Sequence, residues 1–127
     1  MGGVARPQGL AFDAEGVLWV TDAANHRISR YTRDGRYLGS FGRIGDGPGE
    51  FRYPYDIAVR DDQTLLVSDY GNNRVVQLDR DGRTLRVWGS PGRDVGRIRH
   101  AWSLDVGPNG LVYVLDSWNN RVQVVSW

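Results

Sequence analysis

The 127-residue chain has no cysteine and no lysine, only two histidines and one methionine, and no long apolar run. Without cysteine there is no disulfide framework, no thiol nucleophile and no thiolate metal site. That suits a reducing, cytoplasmic compartment. No stretch approaches the ~20 apolar residues of a membrane span, so no membrane partner is expected. The segment Met1-Gly2-Gly3-Val4-Ala5-Arg6 lacks the apolar run of a signal peptide and a hydroxyl residue at the sixth position for myristoylation. A water-soluble protein, or a piece of one, is the expectation. With two isolated histidines, His26 and His100, no metal-ligand spacing exists. Neither metal nor cofactor is expected.

The charge is balanced. Sixteen basic residues, all arginine, face 15 acidic ones for a net charge of +1, so net charge alone announces no polyionic partner. The arginines are spread along the whole chain, as a general compositional bias would spread them.

What the chain has is a gapless internal repeat of 47 residues. Asp22, Asp69 and Asp116 keep that step, as do Asn25, Asn72 and Asn119, then Arg27, Arg74 and Arg121, and Val20, Val67 and Val114. Pro7 returns as Pro54, Gly42 as Gly89, and Arg-Asp-Gly-Arg at 33–36 returns at 80–83. Within a unit, alternating residues and turn signals predict four strands, at 55–60, 65–68, 74–79 and 84–88. Asp81-Gly82 supplies a tight hairpin turn between the last two, and a Pro/Gly-rich connection such as 45–49 leads to the next unit. Four antiparallel strands per 40–50 residues describe a β-propeller blade, whose apolar faces are buried by neighbouring blades. An immunoglobulin-like sandwich, the rival all-β fold, does not predict a strict 47-residue step.

Among propellers the motif is specific. Gly-His and Trp-Asp pairs do not recur. Instead, Ser68-Asp69-Tyr70-Gly71-Asn72-Asn73-Arg74-Val75 resembles the core signature of the NHL-repeat family. So do Thr21-Asp22-Ala23-Ala24-Asn25-His26-Arg27-Ile28 and Leu115-Asp116-Ser117-Trp118-Asn119-Asn120-Arg121-Val122, and the linker 42–54 resembles the family's inter-blade segment. The resemblance implies a propeller that serves as a binding platform for a protein or an RNA. Relatives of similar architecture that are enzymes, an amidating lyase among them, imply a lyase or hydrolase as the alternative; fold does not decide between them. The residues themselves give catalysis little support, although Asp56, Ser103 and Asp105 lie near the innermost strand.

Residues that recur in each blade are read as building it, whereas a single site is read from those that differ. The recurrent set Asp22, Asp69, Asp116, Asn25, Asn72, Asn119, Arg27, Arg74 and Arg121 is therefore structural, with Asp and Asn bonding main-chain N–H groups across the turn and arginine pairing with the aspartate. Strand alternation puts these turns and the linkers 42–54 and 89–101 on one rim, where binding residues concentrate. There the non-repeating residues are aromatic or basic: Tyr55 and Trp102 beside the central channel, Tyr70 and Trp118 at turn tips, and Arg52, Arg97, Arg99 and His100 in the linkers. Aromatic faces among arginines suit a protein or peptide interface and equally a single-stranded RNA. Packing between blades is the structural alternative for Tyr55 and Trp102.

Blades at about 7–53, 54–100 and 101–127 make two full units and a three-stranded third, too few for the 4–8 of a closed ring. Three solutions are a homodimer forming a six-bladed ring from two half-propellers, a fragment of a longer polypeptide, and a larger ring of several copies; the dimer is the expectation. The open strand 121–127 is a template for strand addition.

Overall fold

The structure, a computed structural model, describes residues 3–127. The reading of Met1 and Gly2 as lacking a targeting signal lies outside those residues. Among the described residues no helix is long and apolar enough to cross a membrane.

The fold is all-β. Blade one is the antiparallel sheet β1 (Pro7–Phe12), β2 (Leu18–Asp22), β3 (Arg27–Tyr31) and β4 (Tyr37–Phe41), in that spatial order. The first linker holds a short parallel pair, β5 (Arg43–Ile44) with β6 (Glu50–Phe51). Blade two repeats the order with β7 (Pro54–Val59), β8 (Leu65–Asp69), β9 (Arg74–Leu78) and β10 (Thr84–Trp88). Blade three has β11 (Ala101–Val106), β12 (Val112–Asp116) and β13 (Arg121–Val125). The innermost strands β1, β7 and β11 share a register irregularity after their first residue, which bends each where it leaves the linker.

Two details differ from the sequence expectation. The turn between second and third strands is a single turn of 3-10 helix, at Ala23–Asn25, Tyr70–Asn72 and Ser117–Asn119. Each ends on a residue in the left-handed region, His26, Asn73 or Asn120, all with φ 54°. Such a conformation is uncommon outside glycine, and Asn and His tolerate it better than most. The last strand stops at Val125 rather than running to 127. Trp127 turns back onto blade two, donating from Nε1 to Gln77 Oε1 at 2.8 Å beneath the Arg86 guanidinium.

The core lies between blades rather than within them. One cluster joins blades one and two through Trp19, Ile28, Phe51, Ile57, Leu65, Val67, Val76 and Leu78. The next joins blades two and three through Leu66, Val75, Ile98, Leu104, Val112 and Val114. The two faces of β8 divide between them: Leu65 and Val67 look one way, Leu66 the other, all fully buried. Each junction also receives a plug from the preceding linker, Phe51 in the first and Ile98 in the second. Gly42 and Gly89 make room for the plugs. A Cβ on Gly42 would stand 2.9 Å from the Phe51 ring, and one on Gly89 would stand 2.6 Å from Ile98 Cδ1.

Candidate aromatic rim

The recurrent Asp-Asn-Arg set is a latch between turn and linker. Asp69 Oδ1 accepts the main-chain N–H of Arg52 at 2.8 Å, and Oδ2 accepts from Asn72 Nδ2 and Arg74 Nε, both at 2.8 Å. Arg74 spends its remaining donors on the linker carbonyls of Asp46 and Glu50. Blade one repeats this with Asp22, Ala5, Asn25 and Arg27, and blade three with Asp116, Arg99, Asn119 and Arg121. The N–H that each aspartate holds is thus 17 residues upstream in the linker, not across its own turn.

The buried carboxylates differ in their acidity. Burial pushes the Asp69 carboxyl above its ordinary value, outweighing its bonds from Arg52, Asn72 and Arg74. At Asp116 burial also pushes upward, but bonds from Asn119, Arg99, Arg121 and Gln123 together bring the carboxyl below that value. Gln123, which donates to Asp116 Oδ2 at 3.1 Å, stands where blade two has Val76, so Asp116 has one side-chain donor more than Asp69, and hydrogen bonds to the charged form favour it.

Held by these latches, five non-repeating side chains converge on the rim of blades two and three. Tyr55 and Tyr70 stack with centroids 4.0 Å apart, and Tyr70 stacks on His100 at 4.7 Å. Trp102 stands edge-on to Tyr55 (5.3 Å) and to Tyr70 (6.0 Å). Trp118 stands edge-on to His100 at 4.5 Å. His100 Nδ1 lies 3.1 Å from the Tyr70 carbonyl, an acceptor only, so Nδ1 carries the hydrogen and Nε2 is left for a ligand. The stacked rings are half-buried, while Trp102 and Trp118 are 51% and 62% exposed. Stacking uses up the tyrosine faces and leaves the indoles to present theirs. Trp118 also lines a cavity of about 200 Å³ with Arg93, Asn119, Asn120 and Arg121.

Arg52 and Arg99 flank the ladder. The Gly71 N–H donates to the Arg52 carbonyl at 2.7 Å and the Trp118 N–H to that of Arg99 at 3.1 Å, which fixes each arginine beside a turn tip. Both side chains are exposed. Arg97 is not brought to the ladder; its guanidinium caps the Pro91 carbonyl at 3.3 Å within the linker. A second aromatic contact, His26 edge-on to Tyr53 at 4.5 Å, was outside the expected site. The 47-residue step was the available signal, since it puts Tyr53 where His100 stands.

Near the channel, Asp56 Oδ2 accepts from Ser103 Oγ at 2.6 Å and from the Leu104 N–H at 3.0 Å, tying the innermost strands of blades two and three. Asp105 is exposed and accepts from its neighbour Val106. Among the described residues no three His, Asp or Glu side chains group as a metal site would require.

The NHL repeat family matches residues 5–31 and 99–125. These two segments are NHL repeats. A 58-residue stretch, 46% of the chain, is 34% identical to Protein brain tumor of Drosophila melanogaster and covers 6% of that protein. In three dimensions, virginiamycin B lyase from Staphylococcus aureus superposes on 94% of this chain with a TM-score of 0.70 at 18% identity. An auxiliary nutrient binding protein from Bacteroides thetaiotaomicron superposes on 92% with a TM-score of 0.74 at 14% identity. The chain spans 38% and 36% of those two structures, about a third of a propeller. At such identities the likeness is one of fold.

Proposed function

We propose that this NHL-repeat segment is a non-catalytic binding scaffold whose aromatic rim takes a protein or peptide, within a six-bladed ring completed by a second copy. The observation that carries the rim reading is the ladder Tyr55–Tyr70–His100–Trp118 with Trp102 at its side. Two exposed indoles rest on stacked rings whose orientation the latches fix. Rigid aromatic anchors of this kind concentrate binding energy in protein interfaces. The nearby cavity with Arg93 and Arg121 suits a side chain or carboxylate of the bound segment.

The test is selection of linear peptides from a phage-displayed random library, followed by titration on variants. Trp102→Ala and Trp118→Ala should each weaken selected peptides at least about tenfold while leaving the melting temperature unchanged. Peptides that bind both variants as well as the parent would overturn this reading. The exposed Arg52 and Arg99 beside stacking rings favour single-stranded RNA as the second reading. A uridine oligonucleotide whose affinity falls steeply with added salt would support it. The related propeller enzymes keep a lyase or hydrolase as the different-class alternative. Asp56 and Ser103, spent on each other and on the Leu104 N–H, give that alternative little support.

A further inference from the structure

Each junction between blades is closed by the same pair of left-handed residues. His26 Nδ1, at the end of the first 3-10 turn, accepts the main-chain N–H of Tyr53 at 3.0 Å. Asn73 Oδ1, one repeat later, accepts the N–H of His100 at 2.7 Å. Acceptor and donor both have positive φ: 54° and 52° in the first pair, 54° and 50° in the second. The series has two unfinished ends. Asn120 has φ 54°, and its exposed amide receives no such N–H among the described residues. Arg6 has φ 54° and, among the described residues, no such acceptor.

The side chains around those ends repeat the pattern. Leu10 is 64% exposed, whereas Ile57 and Leu104, one and two repeats on, are 3% and 6% exposed in their junctions. Val4 is exposed in the plug position that Phe51 and Ile98 fill fully buried. On the other flank Val122 is 56% exposed, against 0% for both Ile28 and Val75. Leu115 is exposed where Thr21 and Ser68 direct hydroxyls to the next blade, at the carbonyls of Tyr55 and Ala101. The outer face of blade three is therefore more apolar than the corresponding faces of blades one and two.

We infer that a second copy of this chain docks its first blade on the outer face of the third, with Asn120 accepting the main-chain N–H of Arg6 of the second copy. Val4, Leu10 and Phe12 of one copy then meet Tyr113, Leu115, Val122 and Val124 of the other. Twofold symmetry makes this contact twice and closes the ring. The junction brings the Arg6 side chain of the second copy to the rim position held elsewhere by Tyr53 and His100. The rim is thus completed by a cation from the other chain. This rests on the ring-completion half of the proposed function and not on what the rim binds.

The chain's lack of cysteine allows a direct test. Light scattering of the parent should give twice the mass of one chain. Leu10→Asp and Val122→Asp should each raise the dissociation constant at least about a hundredfold, with far-ultraviolet circular dichroism confirming that the monomers stay folded. A chain carrying Arg6→Cys and Asn120→Cys should oxidise to a covalent dimer and stop there. Each single-cysteine chain alone should stay uncrosslinked, and a mixture of the two should crosslink. A monomer mass at all concentrations would overturn both this junction and the dimeric ring. A dimer that ignores Leu10→Asp and Val122→Asp and does not crosslink would overturn the junction alone. A ladder of longer oxidised products would overturn closure by two copies.

Discussion

Asp13 and Trp19 form a buried bond on the rim opposite the latches: the indole Nε1–H donates to Asp13 Oδ2 at 3.0 Å. The same carboxylate accepts the N–H groups of Glu15 and Val17 and the Arg80 guanidinium at 2.8 Å. Arg80 belongs to the hairpin of blade two, so one aspartate ties a turn, a core indole and the neighbouring blade. Burial pushes its carboxyl upward, but Trp19, Val17, Arg80 and Glu15 together hold it below its usual value. Asp13→Ala leaves the buried Trp19 N–H without its acceptor and Arg80 with Glu15 alone. It should cost about 2–3 kcal/mol, read from urea unfolding at neutral pH.

The two latch aspartates should respond to acid in opposite senses. The Asp69 carboxyl titrates above the ordinary value of 3.8, so its unfavourable ionisation in the fold is relieved as pH falls through its folded value toward 3.8. The Asp116 carboxyl titrates below 3.8, so its contribution is complete above 3.8 and lost as pH falls through its folded value. Unfolding measured from pH 7 to pH 3 should show the gap between the parent and Asp69→Asn widening on acidification. The gap to Asp116→Asn should close instead. Parallel pH profiles for the two variants would contradict the opposite shifts.

The plug positions predict a contrast between two glycines. Gly42→Ala places a methyl 2.9 Å from the Phe51 ring and 3.1 Å from Arg27 Cα, at φ 110°. Gly35→Ala, at φ 92°, meets nothing within 4 Å. The second substitution should cost about 1 kcal/mol in backbone strain. The first should cost about 1–3 kcal/mol more through overpacking. Thermal melts of both variants decide the matter; equal losses would mean that the plug yields.

Trp127 gives a fourth case. It packs on the second core cluster, bonds Gln77 and lies 5.2 Å beneath Arg86. Trp127→Ala should lower stability by about 2 kcal/mol, with the loss visible in the unfolding midpoint.

Much of this architecture was legible because the 47-residue step is a statement about three-dimensional equivalence. It put Tyr70, His100 and Trp118 on one rim before any contact was known. The unreadable part is long-range by nature. The acceptor for Tyr53 lies 27 residues upstream in the preceding blade, as does that for His100. The Asp69 latch reaches back 17 residues to Arg52. Local pattern marks Asn73 and Asn120 as turn residues, but not as side chains that reach into a neighbour. The closeness of Arg97 in sequence to Arg99 and His100 likewise says nothing of the Pro91 carbonyl that it caps.

Phe51 and Ile98 enter their junctions from the linker ahead of a sheet, not from the sheet itself. The transferable module is therefore linker plus blade, about residues 43–88, rather than the four strands at 54–88. A graft that carries the strands alone would arrive without its own stopper and without the N–H its aspartate holds. One cut just after Gly42 or Gly89 would bring both, so these two glycines mark where blades could be exchanged, duplicated or lost without rebuilding the seam.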